Sequence, residues 1–435
     1  MNSTSIAVAS FAQKFQRIKA DLHKKLVETI DVSVLTRWPS DRVNREVRRL
    51  AEELVHESTE LLNDVDRERL IEEIMAEAFG MGPLEPLMTD PEVSDILVNG
   101  PNEVYVERNG LLEKTDLVFA DSQHLMQIIQ RIAARVGRRA DENSPMVDAR
   151  LPTGERVNAI LSPLSLVGPV LSIRRFGIRL TWEDLLANDT LPVEFLDLLR
   201  ACVEARLSIL VSGGTGGGKT TLLNVLSGYI PAEERLVTIE DTAELMLQQP
   251  HVIQLETRPP NLEGSGQVTT RELVRNSLRM RPDRIIVGEC RGQEALDMLQ
   301  AMNTGHEGSM TTIHANDTRD ALARLEMMVM MAGFEMPLAV IREYITCAIN
   351  LVVHVSRLKG GARKVMRVTE LCRSSKESGY KTKNLFEFRQ TGVVEGRAVG
   401  NFHATGHVPR FLKRIRADGI ELPDSLFERR ILNPQ

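Results

Sequence analysis

The chain has 435 residues, enough for two or three domains, and its 42% hydrophobic and 26% charged residues are typical of a globular protein. A net charge of −6 gives no overall attraction to nucleic acid or to an anionic membrane. Four cysteines without a CxxC pair argue against disulfides and structural zinc. Because no segment has the pattern of an export signal or of about 20 consecutive apolar residues, we expect a cytoplasmic protein.

The first part of the chain, residues 11–79, is rich in charge and carries apolar residues at helical spacing, as in VRRLAEELVHESTELL (47–62). This pattern predicts amphipathic helices that form a small bundle. Residues 1–10 are predicted to be disordered. The glycines and prolines of FGMGPLEPLM (79–88) end the helical segment.

Residues 80–176 are predicted to form a mixed α+β domain. Short β-like runs alternate with turn residues, and a helix is predicted at 122–136, where apolar residues recur on one face. The segment 177–190 is predicted to be an interdomain linker. The predicted strands have the sequences DILVNG (95–100), EVYVERNG (103–110), KTDLVFA (114–120), RVNAIL (156–161) and VLSIRRF (170–176).

From residue 191 onward, predicted strands alternate with predicted helices, which favours an α/β fold with a parallel sheet covered on both faces. The strands read LSILVSG, RLVTIED, DRIIVGE and SMTTIHA, and the helices read KTTLLNVLSGYI and QEALDMLQAMN. The end of this domain, 361–435, holds 15 Lys+Arg against 8 Asp+Glu. That basic C-terminal subdomain is either a solvated face or a surface that docks on a membrane or an acidic partner.

The stretch GGTGGGKT (213–220) fits the phosphate-binding loop pattern, and it follows a buried strand and opens a helix. Glycines allow the backbone N–H groups to point at phosphate oxygens, and the helix N-terminus favours negative charge. Lys219 is predicted to reach the β- and γ-phosphates of ATP, and the Thr220 hydroxyl is predicted to bind Mg²⁺. The predicted nucleotide-binding residues are Gly213, Gly214, Thr215, Gly216, Gly217, Gly218, Lys219, Thr220 and Thr221.

Two predicted strands end in carboxylates. Glu289 ends RIIVGE, where Gly288 stands in the place of a usual aspartate, and Glu240 precedes Asp241 at the end of the TIED strand. The carboxyl ends of parallel strands share a ligand crevice, so Glu289 and Glu240 are predicted to be catalytic and to hold Mg²⁺ partly through water. Asp241 has two open readings, a direct role or a helix N-cap.

The stretch TGHEGSMTTIHAND (304–317) contains two of the nine histidines of the chain. His314 ends a strand that should lie beside the P-loop strand, which would place it with Thr311 and Thr312 near the γ-phosphate. The turn before that strand is expected to bring His306 to the same crevice. Each histidine alone also fits a structural role, but a neutral imidazole can contact phosphate or water, and the pair favours a functional role.

The four motifs GGTGGGKTT, TIEDTAEL, RMRPDRIIVGECRG and TGHEGSMTTIHAND resemble the Walker A motif, Asp box, Walker B motif and His box of the secretion ATPase superfamily, in the family's order. That superfamily powers type II secretion, type IV secretion and type IV pili. The resemblance covers about residues 60–375. GPLEPLM, VDARLPTGERVNAI, LSIRRF and the H-x7-H spacing are most similar to the Tad/Flp (tight-adherence) pilus assembly ATPases, with type IV secretion ATPases as near relatives. Gly217 departs from the family, which usually has serine there.

The resemblance implies a RecA-like P-loop ATPase domain preceded by a PAS-like α+β domain, assembled as a homo-hexamer on inner-membrane pilus platform proteins. It implies ATP and Mg²⁺ at the interface of the two domains. Arginines of the N-terminal domain are then candidates for catalysis, namely Arg150, Arg156, Arg174 and Arg175.

Arg174 and Arg175 are adjacent on a predicted strand and point to opposite faces, so one can face the nucleotide while the other makes a structural contact; we favour Arg175 for the catalytic role. Arg279, Arg281 and Arg291 flank the Walker B motif. For each of these arginines a structural ion pair and a phosphate contact both remain open.

The leading hypothesis is therefore an ATP-hydrolysing motor for a Tad-type pilus, cytoplasmic and attached to the inner membrane through partners. The first alternative is a type IV secretion ATPase that moves protein or DNA. A RecA-like nucleic-acid ATPase is disfavoured by the net charge of −6 and by 4% aromatic residues, so no direct nucleic-acid binding is expected. A nucleotide-dependent scaffold without turnover is disfavoured by Glu289.

Overall fold

The computed structural model of the protein describes residues 18, 21–22, 25–26, 40–58, 63–108, 110–175, 180–258, 260, 265–373 and 380–432. The chain divides into two compact units, Met1–Ile178 and Arg179–Gln435. Residues 1–10, which the sequence predicts to be disordered, lie outside the described residues.

Two helices, α1 (Ser40–Glu57) and α2 (Asp64–Phe79), carry the charged N-terminal part of the first unit. Asn63 caps α2, because its side-chain oxygen accepts the N–H of Asp66 at 2.7 Å. A 3₁₀ turn (Gly82–Leu84) and the short helix α3 (Glu85–Thr89) follow at the predicted Gly/Pro boundary. The apolar faces of α1 and α2 pack with one another through Val47, Ala51, Val55, Leu70, Ile71 and Ile74.

The rest of the first unit is a six-stranded antiparallel sheet with one long helix. The strand order is β3-β2-β1-β6-β5-β4, so the last three strands in the chain pair beside the first. Helix α4 (Ser122–Arg135) presents Leu125, Ile128, Ile129 and Ile132 to the core, as the sequence predicts. The strands are β1 (Val93–Asn99), β2 (Val104–Arg108), β3 (Leu111–Lys114), β4 (Met146–Arg150), β5 (Arg156–Ile160) and β6 (Val170–Arg174).

The prediction of a strand at KTDLVFA (114–120) is wrong. The strand β3 ends at Lys114, and residues 115–120 form no regular structure. Gly110 turns the chain at a positive φ of 82°, and Arg108 then pairs directly with Leu111. This tight hairpin starts pairing immediately after the turn, so Lys114 already pairs with Tyr105, near the start of β2. The more apolar segment that follows lies beyond the start of β2 and therefore does not extend the strand.

The second unit is built on a ten-stranded sheet. Its strands are β7 (Ile209–Gly213), β8 (Leu236–Glu240), β9 (Val252–Glu256), β10 (Arg284–Cys290), β11 (Met310–His314), β12 (Leu351–Arg357), β13 (Arg363–Arg373), β14 (Tyr380–Val394), β15 (Arg397–Ala404) and β16 (Arg430–Leu432). Its helices are α5 (Trp182–Ala187), α6 (Val193–Glu204), α7 (Lys219–Ser227), α8 (Thr270–Ser277), α9 (Glu294–Asn303), α10 (Thr318–Met331), α11 (Leu338–Ala348) and α12 (Leu412–Ala417), and a 3₁₀ turn spans Asp424–Phe427. Helix α5 falls within the segment predicted as a linker.

The strand order is β16-β15-β14-β13-β12-β7-β11-β10-β8-β9. Strands β12, β7, β11, β10, β8 and β9 run parallel, and β13 to β16 continue the sheet antiparallel. Along β7 the buried side chains alternate between two apolar layers, with Ile209 and Val211 in one and Leu210 in the other. The second unit is therefore the α/β fold that the sequence predicts, with a central parallel sheet covered on both faces.

A charged side chain, that of Arg284, lies wholly inside the second unit. Arg284, at the start of β10, is 0% exposed and makes a bidentate pair with Glu234, with N–O distances of 2.6 and 2.9 Å. Its remaining Nη1 donates to the carbonyl of Val203 at 2.7 Å. Gly308 allows this arrangement, since a Cβ there would lie 2.7 Å from the Arg284 Nη1.

None of the helices in the described part of the chain combines the length and the apolar character that a bilayer crossing requires.

Candidate active site

The loop between β7 and α7 has the conformation that phosphate binding requires. Gly216 and Gly218 adopt positive φ angles of 67° and 98°, which L-residues rarely adopt, and the N–H of Gly217 donates to the carbonyl of Gly214 at 3.2 Å. The chain then enters α7 at Lys219, so the first N–H groups of the helix face the loop.

Glycine at the end of β7 is required by a neighbouring strand. A Cβ at Gly213 would lie 2.4 Å from the carbonyl oxygen of Val355 on β12, and the two residues are in register. By contrast, nothing lies within 4 Å of a Cβ at Gly214. At Gly217 a Cβ would be 3.1 Å from the Gly214 carbonyl, a tight contact for the serine that the family usually has there. The loop is thus packed closely against β12 at its start and is open in its middle.

These features fit the phosphates of a nucleotide and its Mg²⁺. The Lys219 ammonium donates to the Gly214 carbonyl at 3.1 Å, so it lies beside the backbone of the loop. Thr220 stands in the first turn of α7 and is only partly buried. Hydroxyl and carboxylate oxygens are the ligands that Mg²⁺ prefers, and Thr220, Glu289 and Glu240 supply both kinds at one edge of the sheet. The predicted residues therefore have the right chemistry to hold both groups.

Glu289 lies in a β-bulge of β10. Val287 pairs with Thr311 and Cys290 pairs with Ile313, so β10 has one more residue than β11 in this interval. The Thr312 hydroxyl donates to the Gly288 carbonyl at 2.7 Å and holds the bulge. Bulges next to active sites re-aim a side chain, and here the bulge places the partly buried Glu289 carboxylate at the carboxyl edge of the sheet.

The carboxylate of Glu240 explains why residue 288 is glycine. A Cβ at Gly288 would lie 2.7 Å from the Glu240 Cγ, so Glu240 occupies the space that a side chain at 288 would need. The Glu240 Oε2 accepts the N–H of Glu244 at 2.8 Å and that of Leu245 at 3.0 Å. Burial raises the pKa of the Glu240 carboxyl to about 7, although these hydrogen bonds oppose the shift.

Arg291 joins two of the strand-end acids. Its guanidinium lies 2.6 Å from the Glu289 Oε2 and 3.0 Å from the Asp241 Oδ2, which favours a structural ion pair for this arginine. The N-cap reading of Asp241 is wrong, because no helix follows it; residues 241–251 lead without regular structure to β9. Asp241 also accepts the hydroxyl of Thr270 at 3.3 Å.

The two histidines lie at opposite edges of the sheet. His314 pairs in register with Gly213, and the N–H of Ala315 donates to the Gly213 carbonyl at 3.3 Å, so His314 stands beside the P-loop. Thr311 and Thr312 are buried on the same strand. His306 precedes Met310, which pairs with Ile209 at the amino end of β7. The prediction that His306 reaches the P-loop crevice is wrong for this unit, because a turn that precedes a parallel strand lies at the amino edge of the sheet.

The same geometry separates the arginines that flank β10. Arg279 and Arg281 are exposed and precede β10, so they lie at the amino edge, away from the P-loop of their own unit. Arg291 follows β10 at the carboxyl edge.

Three of the four candidate arginines of the first unit form a row on its sheet. Arg150 is in register with Arg156 on the next strand, and Arg156 is in register with Arg174 on the strand after that. Residues in register on adjacent strands share a face of the sheet. Arg156 pairs with Asp148 at 3.1 Å, and the Arg150 Nε donates to the Gly154 carbonyl at 3.1 Å.

Arg175 is not in this row. Its Nη1 donates to three backbone carbonyls of the first unit, and its Nε is buried without a hydrogen-bond partner among the described residues. These contacts fit a structural role and contradict our preference for Arg175 over the exposed Arg174. The acceptors are the carbonyls of Leu87, Asp90 and Val93.

The structure also brings residues to the P-loop that the motifs do not contain. The Arg363 Nε, on β13, donates to the Gly216 carbonyl at 3.0 Å, and Arg357 is its cross-strand partner on β12. His354 contacts Ser212, the residue before the loop, at 3.0 Å. No local pattern marks these residues, which are more than a hundred positions from the P-loop. The pairing of β12 with β7 and of β13 with β12 is what reveals them.

Comparison with known proteins finds relatives of this sequence. A family model described as Type II/IV secretion system protein matches residues 77–406. A "Putative conjugal transfer protein" of Mycobacterium tuberculosis is 38% identical over 321 residues, which cover 72% of this chain and 90% of that protein. The conjugal transfer protein TrbB of Rhizobium radiobacter is 32% identical over 314 residues, covering 71% of this chain and 92% of TrbB.

Among solved structures, the VirB11 ATPase of the Brucella suis type IV secretion system, crystallised in complex with sulphate, is 31% identical to this chain. The match covers 67% of this chain and 97% of that chain, with a TM-score of 0.36.

Proposed function

Since this chain belongs to the type II/IV secretion system protein family and is an ATPase of that family, we propose that it is the motor that powers assembly of a Tad/Flp-type pilus. The observation that carries the motor role is the common edge of the sheet. The P-loop, Glu289, Glu240 and His314 all lie at the carboxyl ends of adjacent parallel strands.

In the proposed reaction, the loop N–H groups and the Lys219 ammonium bind the phosphates of ATP and neutralise their charge. Mg²⁺, when bound, neutralises the charge that develops on the transferred phosphoryl group. The Thr220 hydroxyl and the carboxylates of Glu289 and Glu240 are the groups that would hold it. When the Lys219 ammonium binds phosphate oxygens, it gives up its hydrogen bond to the Gly214 carbonyl.

Glu289 is assigned to the attacking water. It accepts the proton of that water, and the bulge in β10 aims its carboxylate at the crevice. His314, beside Gly213, contacts the γ-phosphate or the water as a neutral imidazole. Glu240 has a pKa near neutrality and supports the site from the neighbouring strand.

Assembly into a homo-hexamer is part of the proposal and rests on the resemblance. The row of Arg150, Arg156 and Arg174 is the feature of the first unit that supports it, because three guanidinium groups on one face would suit a phosphate group. The protein would then work in the cytoplasm on inner-membrane platform proteins.

The Tad/Flp assignment rests on the motifs VDARLPTGERVNAI and LSIRRF and on the charged helices α1 and α2 that precede the first sheet. The second candidate is a type IV secretion ATPase. It is favoured by the names of the relatives TrbB and VirB11, a conjugal transfer protein and a type IV secretion system protein.

The motor role is tested with two variants that should fail at different steps. Lys219→Ala should abolish ATP binding, whereas Glu289→Gln should bind ATP and lose hydrolysis, because an amide cannot accept the proton of water. Fluorescent-nucleotide binding and phosphate release measure both. Turnover in Glu289→Gln close to that of the parent would refute the role of Glu289.

The cellular role is tested in the organism that carries this protein. Chromosomal Glu289→Gln should remove surface pili in electron micrographs and leave plasmid transfer unchanged. If pili persist and conjugal transfer or protein export is lost, the type IV secretion alternative is correct. If the ATPase rate rises severalfold on adding single-stranded DNA, a nucleic-acid motor is indicated instead.

A further inference from the structure

Arg363, from the basic C-terminal part of the chain, contacts the backbone of the P-loop at two points. Its Nε, at the start of β13, donates to the Gly216 carbonyl at 3.0 Å. Its Cδ lies 3.4 Å from the position that a Cβ at Gly218 would occupy, so the aliphatic stem of the side chain packs on that glycine. One side chain therefore spans the segment Gly216, Gly217 and Gly218.

Three consecutive glycines make this segment of the loop costly to order. Glycine loses more conformational freedom on folding than any other residue. Gly216 and Gly218 are held at positive φ angles of 67° and 98°, and the serine that would restrict the backbone between them is replaced by Gly217 in this chain. A contact from another strand can offset that cost.

The bond from Arg363 also sets the direction of the peptide between Gly216 and Gly217. In a trans peptide the carbonyl oxygen and the following N–H point in opposite directions. The Gly217 N–H donates to the Gly214 carbonyl at 3.2 Å, and the same carbonyl accepts the Lys219 ammonium at 3.1 Å. The Gly217 N–H thus lies on the side of the loop where the phosphate-binding lysine lies, as a P-loop requires, and Arg363 lies on the opposite side of that peptide.

We propose that Arg363 is a positioning residue that keeps the P-loop in its phosphate-binding conformation before ATP binds, by holding the Gly216 carbonyl away from the phosphates. It acts through the backbone of the loop, unlike the arginines considered for the transferred phosphoryl group. The role rests on the proposed ATP site. It gives a function within this unit to one cation of the basic C-terminal subdomain.

Three variants separate the hydrogen bond of Arg363 from its charge. In Arg363→Gln the amide nitrogen is the same number of bonds from Cα as the arginine Nε, so the donor is kept and the charge is lost. Arg363→Lys keeps the charge and places a methylene group at that position. Arg363→Met removes both the donor and the charge.

Arg363→Met should weaken ATP binding about tenfold and leave kcat at saturating ATP within about threefold. A loop that is competent to bind for only a fraction of the time has an affinity lowered by that fraction, whereas bound phosphates hold the loop themselves. Arg363→Gln should bind ATP within about threefold of the parent, and Arg363→Lys should bind more weakly than Arg363→Gln. Fluorescent-nucleotide titration measures the affinity, and phosphate release measures kcat.

Lys364→Met is the matched control. Lys364 is the next residue of β13, and its ammonium donates to the backbone carbonyl of Asp189, so this variant also loses one positive charge and one bond to a carbonyl. It should leave ATP affinity unchanged. Hydrogen exchange without nucleotide gives a second readout: the peptide covering 213–221 should exchange at least threefold faster in Arg363→Met and at the rate of the parent in Arg363→Gln and Lys364→Met.

Unchanged affinity and exchange in Arg363→Met would overturn the proposal, and so would a fall in kcat of tenfold or more with unchanged affinity. Affinity in Arg363→Gln no better than in Arg363→Lys would also overturn it, because the bond to Gly216 would then not be what matters. If Arg363→Met does not fold, the comparison of Arg363→Gln with Arg363→Lys decides. A parent that does not hydrolyse ATP would contradict the proposed function, and the exchange measurement, made without nucleotide, would still decide the role of Arg363.

Discussion

Replacement of Gly288 by alanine tests how the strand-end acids are packed. The Cβ of Gly288→Ala would lie 2.7 Å from the Glu240 Cγ, whereas carbon atoms in contact are normally about 3.5–4.0 Å apart. Glu240 must therefore move by about 1 Å. Its carboxylate accepts N–H groups at 2.8 and 3.0 Å, and a shift of that size takes both bonds beyond hydrogen-bonding distance.

The cost follows from these contacts. Overpacking of a tight interior costs about 1–3 kcal/mol, and leaving buried polar groups unsatisfied costs a similar amount. Part of the strain is relieved as Glu240 moves, so we expect the free energy of unfolding to fall by about 2 kcal/mol. Turnover should fall at least tenfold, because a displaced Glu240 no longer supports the nucleotide site.

Urea unfolding and steady-state ATPase assays measure both effects. Gly214→Ala is the stability control, since nothing lies within 4 Å of its Cβ. In a Glu240→Ala background the clash is absent, so adding Gly288→Ala should cost much less there than in the parent. If Gly288→Ala unfolds and turns over like the parent, or costs as much in both backgrounds, Glu240 does not occupy that space.

Further predictions concern other parts of the site. Because burial raises the pKa of Glu240 from 4.5 to about 7, the free energy of unfolding should gain a contribution below pH 4.5 that is lost as the pH rises through about 7, and Glu240→Gln should remove this dependence in pH-dependent urea titrations. His314→Ala should keep ATP affinity within about tenfold (~1.4 kcal/mol) and lose more in turnover; unfolding without selective loss of activity would contradict this. Arg175→Ala should lower the melting temperature, since three carbonyls lose their donor, whereas Arg174→Ala should keep it and lose turnover by on the order of a thousandfold; the reverse pattern would restore Arg175 as the catalytic candidate.

The parallel half of the second unit was predictable because its strands are buried on both faces and read as short apolar runs. For the same reason the P-loop, Glu289 and Glu240 could be assigned to strand ends. The prediction for His306 was wrong because it did not distinguish the two ends of a strand. In a parallel sheet the residues before a strand and those at its carboxyl end lie at opposite edges, and only the latter, such as His314 at the end of β11, share the crevice.

What the sequence does not reveal depends on strand order and on side-chain packing. The pairing of β12 with β7 brings His354 to the P-loop, the pairing of β13 with β12 brings Arg363 there, and no periodicity indicates which strands are neighbours. Likewise, the sequence shows only that glycine replaces the usual aspartate at position 288. The structure shows the reason, since Glu240 occupies the space that a side chain at 288 would need. Alternation along a strand predicts opposite faces for Arg174 and Arg175, but β6 ends at Arg174, and only the structure shows that Arg175 is the one bound to backbone carbonyls.

The buried pair of Arg284 and Glu234 constrains how this sequence can diverge. Substitution of Glu234 leaves the Arg284 charge buried without its carboxylate, at a cost of about 3–5 kcal/mol, which is a large part of the stability of a typical domain. Substitution of Arg284 costs less, because Glu234 keeps its 3.2 Å pair with the exposed side chain of Arg206. Replacement of both by apolar residues of matching volume removes that penalty. Descendants of this protein should therefore keep both residues or exchange both, and Gly308 should stay glycine in either case, because its φ is 79° and a Cβ there would lie 2.9 Å from the Arg206 Cα.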